Sequence, residues 1–307
     1  MDQFIQLTVD ALTLGSVYAL IALGYTLVYG VLKLLNFAHG DVFMVGSFIG
    51  FGVLQVLGGT SDPVVPVWLL IVLITGAAMA GCAGLGVVIE RFAYRPLRDA
   101  PRIAPLISAL GVSFFLSNSM QLLFGATPRN YNTFDLSNGA LYLKGLDIGN
   151  VRVPLLRIVT ILSAFALMVA LWFLVNRTRT GKAMRATSYD REAAAMMGID
   201  IDRVIVFTFV LGSALAGAAG VMFALRVPTN VSIGFIAGLK GFTAAVIGGI
   251  GSIPGAMAGG LILGFAEAYS QGYISTKWSD LIVFSILIGF MIFRPQGLLG
   301  RADIRKV

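Results

Sequence analysis

Residues 181–225 read GKAMRATSYDREAAAMMGIDIDRVIVFTFVLGSALAGAAGVMFAL, a charged island that passes directly into an uncharged run. As a helix rising about 1.5 Å per residue, the run 204–225 is long enough to cross a hydrocarbon layer of about 30 Å. The island carries Lys182, Arg185, Arg191 and Arg203 against Asp190, Glu192, Asp200 and Asp202. Inside it, Glu192-Ala193-Ala194 followed by Gly198 predicts one short helix with a built-in stop, because glycine takes the left-handed conformation without a Cβ penalty. The small side chains at 193–195 allow close approach to a partner surface. Ala193, Met197 and Ile201 recur at i, i+4, i+8, which predicts an apolar stripe. Asp200 and Asp202 are placed to cap the span that follows and meet its positive dipole end.

The rest of the chain repeats this contrast. Of 307 residues, 57% are hydrophobic and only 12% charged, with a mean hydropathy of +0.88. Soluble domains carry roughly 25% charged residues, so the composition is that of a membrane protein. The 37 glycines suit helices that pack closely in lipid. A single cysteine, Cys82, leaves no intrachain disulfide or Cys-rich metal cluster to form. The acidic N-terminus MDQFIQLTVD lacks a signal peptide's basic region, so the first apolar run is expected to be retained as a span.

Uncharged runs fall at 11–32, 42–57, 64–89, 103–127, 158–175 and 204–225. Beyond Arg226 the pattern is interrupted by glycines and prolines, at 227–240 and again at 248–255. Such breaks at membrane depth need neighbouring helices or a cavity to satisfy the freed backbone. The fold expected is therefore an all-α integral membrane protein, a polytopic bundle of eight or nine transmembrane helices with broken or re-entrant segments. Basic residues concentrate in 91–102, 176–203 and 294–307, which hold 14 of the 22. The positive-inside rule makes these a basic loop (91–102), the island's loop (176–203) and a tail (294–307) on the cytoplasmic side, and leaves 128–154 as an external loop of one transmembrane domain, 1–307. Alternation around Leu141-Tyr142-Leu143 predicts a small hairpin in that loop. Nine spans put the N-terminus outside; one re-entrant segment reduces the count to eight. Leu14-Gly15-Ser16 and Leu211-Gly212-Ser213 each lie in a run that leads to a broken segment, a faint echo of inverted repeats.

Several polar groups stand out against the apolar background. His39, the only histidine, lies beside Asn36 and Asp41 at the first break. Ionisable groups at membrane depth mark pathways or relays, so these residues read as a polar hinge or gate, or else as an interfacial cap. No nucleophile or metal-ligand set accompanies them, which argues against an enzyme. Ser113, Ser117, Asn118 and Gln121 recur at helical spacing and give one helix a polar face, either for interhelical hydrogen bonds or as the wall of a substrate path. Gly248, Gly249, Gly251 and Pro254 mark a backbone break beside a pathway or a close packing joint. Glu267, near the end of an apolar run, is expected at the interface. The chain has no G-x-x-x-x-G-K-[ST] loop, so ATP hydrolysis is not its own work. It also offers no reason to invoke nucleic acid.

The E-A-A-x-x-x-G spacing at 192–198 resembles the motif by which permeases of ABC importers dock onto their ATPase subunits, although the usual trailing I-x-L-P is absent. The strings GYTLVYGVLKLLNFAHGDVFMVGSF (24–48), MGIDIDRVIVFTFVLGSALAGAAG (197–220), GLKGFTAAVIGGIGSIPGAMAGGLILGFAEA (238–268) and RPQGLLG (294–300) are similar to the LivH-type permeases of bacterial branched-chain amino acid ABC transporters. That resemblance covers nearly the whole chain. It implies an importer in the bacterial inner membrane. In such an importer this chain pairs with a second homologous permease subunit, two ABC ATPase subunits bind the cytoplasmic face, and an external substrate-binding protein delivers branched-chain or other neutral amino acids. No cofactor is then expected on this chain, ATP and Mg being held by the partner subunits. The ATPase-coupling residues implied are Arg191, Glu192, Ala193, Ala194, Met197 and Gly198. The competing expectation is a secondary transporter or channel that works without ATPase subunits; the lack of a mid-span carboxylate pair argues against ion coupling.

Overall fold

The computed structural model describes residues 2–58, 66–98, 100–101, 103–131, 145–148 and 151–300. Eleven α-helices carry nearly all of it: α1 (Asp2–Leu32), α2 (His39–Val56), α3 (Val67–Ile89), α4 (Ile103–Phe124), α5 (Leu155–Arg177), α6 (Arg179–Tyr189), α7 (Arg191–Met196), α8 (Ile201–Ala224), α9 (Ile233–Gly248), α10 (Ile253–Tyr273) and α11 (Thr276–Phe293). A π turn (Glu90–Tyr94) and a 3-10 turn (Arg95–Leu97) extend α3. Two strands, β1 (Gly145–Ile148) and β2 (Val151–Pro154), pair antiparallel. The hairpin expected around Leu141–Leu143 lies outside the described residues, but this one forms immediately after it.

Seven of the helices are long and apolar enough to cross a membrane, and α9 is a shorter apolar helix. The eight or nine crossings expected are compatible with this set, since α10, at 21 residues, also has the length. From Ala11 to Val28 α1 is apolar on every side and almost wholly buried, as a helix without a polar face must be when it sits at the centre of a bundle. α3, α4, α5 and α11 form the exposed periphery.

The contacts follow a twofold exchange in which α1, α2 and α3 correspond to α8, α9 and α10. The broadest contacts are α1 on α10 and α3 on α8, and α2 packs on α8 as α9 packs on α1. α1 crosses α8 where Gly24 faces Gly212. α2 crosses α9 where a Cβ on Gly40 would lie 2.7 Å from the Gly238 Cα. The three-letter echo is not the carrier of this relation: Gly212 meets Gly24, whereas Gly15 packs against Leu261 of α10.

The first helix-to-helix break, 33–38, doubles back into the bundle. His39, the first residue of α2, packs against Gly24, eight residues before α1 ends. The His39 ring therefore reaches a level about 12 Å before the end of α1.

The basic segments gather at one end. Arg95 and Arg98 pair with Asp202 at the start of α8. Ser188 of α6 reaches Gly30 of α1, and Gly30 in turn lies beside Gly251 in the α9–α10 connection. At the other end Asp10 of α1 pairs with Arg157 of α5 at 2.8 Å and with Arg226 at 3.1 Å. The first turns of α1 thus lie at the hairpin's end of the bundle.

Candidate coupling and pathway sites

The island folds as α6 and α7 joined at Asp190. Each element has a side-chain cap: Thr178 accepts from Gly181 N at 3.1 Å, Asp190 from Ala193 N at 3.0 Å and Asp200 from Arg203 N at 3.1 Å. These caps satisfy amides that a helix start leaves without partners. Gly198 has φ +81, so the expected stop is formed where expected. Glu192, Ala195, Met196, Met197 and Gly198 are exposed, Ala193 is half-buried and Ala194 is buried. Met196 and Met197 are each 83% exposed, beside Tyr189 at 95%. The expected stripe does not form a packed seam, because Gly198 turns the chain and Ile201 begins α8 instead of continuing α7. Arg191 is turned inward, its Nη2 donating to Val31 O at 3.0 Å. Burial, and after it the Arg98 guanidinium, lowers the Arg191 pKa below the usual arginine value.

At the first break, Asn36 Oδ1 accepts from Tyr94 Oη at 3.1 Å, and the same hydroxyl lies 3.3 Å from Leu35 O. His39 stands edge-on to Tyr25 with ring centroids 4.7 Å apart. Asp41 accepts from Ser117 Oγ at 2.7 Å. Although close in sequence, His39 and Asp41 face different helices, α1 and α4, as residues two apart on a helix do. Both are buried, at 1% and 3% exposure. Of the polar face on α4, Ser113 and Ser117 are both brought to Asp41 by side-chain bonds. Asn118 bonds back to Phe114 O at 2.7 Å, and both Asn118 and Gln121 are exposed.

The second predicted break is a packed joint. Gly249 (φ +100) and Gly251 (φ +94) turn the chain, Ser252 caps α10 by accepting from Gly255 N at 3.2 Å, and Pro254 occupies the first turn. The segment after α11 covers the end of α9: Leu298 N donates to Ile247 O at 2.9 Å and Leu299 N to Gly248 O at 3.0 Å.

Two clusters were not anticipated. Lys240 Nζ of α9 contacts Glu267 at 2.7 Å and Asp280 at 2.8 Å, and Tyr18 Oη donates to Glu267 at 2.8 Å. Glu267 is 4% exposed and belongs to an ion pair buried between helices. The signal available in sequence was Lys240 itself, a lone charge in a Gly-rich apolar stretch. The second cluster joins Arg98 to both Glu90 and Asp202, with Arg95 on Asp202 at 2.6 Å. Asp202 therefore ties α8 to the end of α3, and Asp200 alone makes the cap. Among the described residues, no group of three His, Cys, Asp or Glu is placed to hold a metal ion.

A helical bundle with a helix break that doubles back and a basic loop at one end defines a class, the multi-span membrane protein. The family described as "Branched-chain amino acid transport system / permease component" matches residues 7–291. The chain is 43% identical over 308 residues to the high-affinity branched-chain amino acid transport system permease protein LivH of Escherichia coli (strain K12), covering 99% of this chain and 98% of that protein. It is 41% identical over 305 residues to the corresponding permease BraD of Pseudomonas aeruginosa, covering 99% and 98%. A probable branched-chain amino acid transport permease of Methanocaldococcus jannaschii is 27% identical over 97% of this chain and 92% of its own length. The chain belongs to the family of branched-chain amino acid transport system permease components.

Proposed function

We infer that this chain is the membrane-spanning permease subunit of an ATP-driven importer that carries branched-chain amino acids across the bacterial cytoplasmic membrane. The observation that carries the substrate class is the near-full-length likeness to high-affinity branched-chain permeases. The observation that carries the energy coupling is the outward face of α7 and its stop, with Glu192, Met196, Met197 and Gly198 exposed at the end where the basic segments gather.

The positive-inside rule makes that end cytoplasmic and the hairpin end external. An ATPase subunit there receives Glu192, Met197 and Gly198 in a groove, as an amphipathic segment fills an apolar cleft. Ala193 permits the approach, while Ala194 and Arg191 hold α7 to its own chain. ATP and Mg belong to that partner. A second permease subunit completes the path, and an external binding protein supplies the amino acid. Within this chain the path-side polar group is Asp41 with Ser117, and Asn36 and His39 act as the hinge of the α1–α2 break. The joint at Gly248, Gly249, Gly251 and Pro254 serves packing, and Asn118 and Gln121 face outward from α4.

The test is uptake of radiolabelled leucine into vesicles carrying the assembled importer, with Gly198→Val in this chain. The φ of +81 forbids a β-branched residue without strain, so the stop should be lost and uptake abolished while membrane insertion persists. Normal uptake in that variant would sink the coupling reading. Uptake by wild type without ATPase subunits would favour the secondary carrier instead.

A further inference from the structure

The last four carbonyls of an α-helix have no partner within the helix. At the end of α1, two of them are taken by the island. Ser188 Oγ donates to Gly30 O at 2.6 Å, and Arg191 Nη2 donates to Val31 O at 3.0 Å. The two donors flank Asp190, so they sit at the joint between α6 and α7. Directly beyond the two acceptors the chain leaves α1 through Lys33, at φ +56, and turns back towards Asn36 and buried His39.

The other attachments of the island do not lead to that break. Thr178 and Arg185 tie α6 to the end of α5, through Leu174 O and Val175 O. Towards α8 the connection is Gly198, Ile199 and Asp200, a left-handed turn tied back to α7 by the backbone bond from Ile199 N to Ala194 O, while the Asp200 carboxylate bonds forward, to the amide and guanidinium of Arg203. A displacement of α7 therefore reaches the α1–α2 break through the side chains of Ser188 and Arg191, whereas the path to α8 runs through the backbone of the turn alone.

We propose that Ser188 and Arg191 are the positioning residues that carry movement of the α6–α7 loop into the last turn of α1 and so into the α1–α2 break. This rests on the coupling reading above. It divides the island's residues by role: Glu192, Met197 and Gly198 receive the input, and Ser188 and Arg191 pass it on. The chemistry suits the task. A hydroxyl and a guanidinium on adjacent backbone carbonyls fix α7 to α1 in both position and rotation, and the charged donor makes the stronger of the two bonds.

The experiment uses the complete importer in proteoliposomes and reads ATP hydrolysed per leucine imported. In the Ser188→Ala/Arg191→Ala variant, the ATPase subunits should still co-purify and hydrolyse ATP at the basal rate. Import per ATP should fall about tenfold, the scale of one charged hydrogen bond. Ser188→Thr, which keeps the hydroxyl, should retain the wild-type ratio where Ser188→Ala does not; this comparison stands even if the double variant assembles poorly. A wild-type ratio in both alanine variants overturns the proposal. Loss of ATPase co-purification in Ser188→Ala also overturns it, because the residue would then be building the docking face. If Gly198→Val blocks import while the alanine variants leave the ratio unchanged, only this proposal fails. If Gly198→Val imports normally, the coupling reading fails first.

Discussion

Lys240 and Glu267 meet at 2.7 Å with only 8% and 6% of their side chains exposed. A charge so placed stands only while its partner and hydrogen bonds are present. Glu267 also accepts from Tyr18 at 2.8 Å and from Gln271 at 3.1 Å, so three side chains, from α9, α1 and α10, close on one carboxylate. Removing one member strands the other. Lys240→Met should cost about 3–5 kcal/mol, read as a lower unfolding temperature of the detergent-purified protein. Lys240→Met/Glu267→Gln should cost clearly less than the sum of the single variants, because the stranded charge is gone. Additive losses would show that the pair is not coupled. Only the lone charge of Lys240 was a signal in sequence; the pairing was not legible, because Glu267 stood near a run's end with its partners 27 and 249 positions away. The His39 and Asp41 positions were legible, since a polar cluster in an apolar chain announces itself. Their separate partners on α1 and α4 were not.

At the scale of elements, helices and breaks could be read because charge scarcity, glycines and prolines are local signals. What the segment 294–300 does could not, because its bonds are made by backbone atoms. RPQGLLG carries only a likeness as a string; folded, it donates two amides to Ile247 and Gly248 and so covers the carboxyl end of α9. Gly297 makes the turn at φ +72, and a Cβ there would lie 2.7 Å from Val246 O. Gly297→Val should therefore release the clamp. The left-handed conformation alone costs a non-glycine residue about 1–2 kcal/mol. In hydrogen exchange the Leu298 and Leu299 amides should lose protection, while the amides in the middle of α1 keep theirs. Unchanged protection at Leu298 and Leu299 would mean that the clamp tolerates a side chain. The same comparison explains the hairpin: alternation drew attention to residues 141–143, but pairing is described at β1 and β2, where register, not composition, decides which residues bond.

For the whole molecule, the question is which ends face which side. Charge bias alone left eight or nine crossings open, because it says nothing about whether a broken helix passes through or returns. Asp10 supplies the missing constraint. Its bonds to Arg157 and Arg226 hold the first turns of α1 at the end where the hairpin leads into α5, opposite the island. An odd number of crossings then separates the start of α1 from the basic turns after α3, which requires α1, α2 and α3 all to count. Single cysteines test this directly, because Cys82 is buried and gives no background with a membrane-impermeant thiol reagent. Phe4→Cys and Leu146→Cys occupy exposed sites at the hairpin end, and Met197→Cys an exposed site on the island. In intact spheroplasts, Phe4→Cys and Leu146→Cys should label and Met197→Cys should not; in inverted vesicles the pattern should reverse. Labelling of Phe4→Cys together with Met197→Cys would make one broken helix re-entrant. The Asp10 clasp would then have to form across the bilayer, which a bond of 2.8 Å forbids. The twofold exchange of α1–α3 with α8–α10 makes the same demand, since units of opposite direction need an odd number of crossings in each.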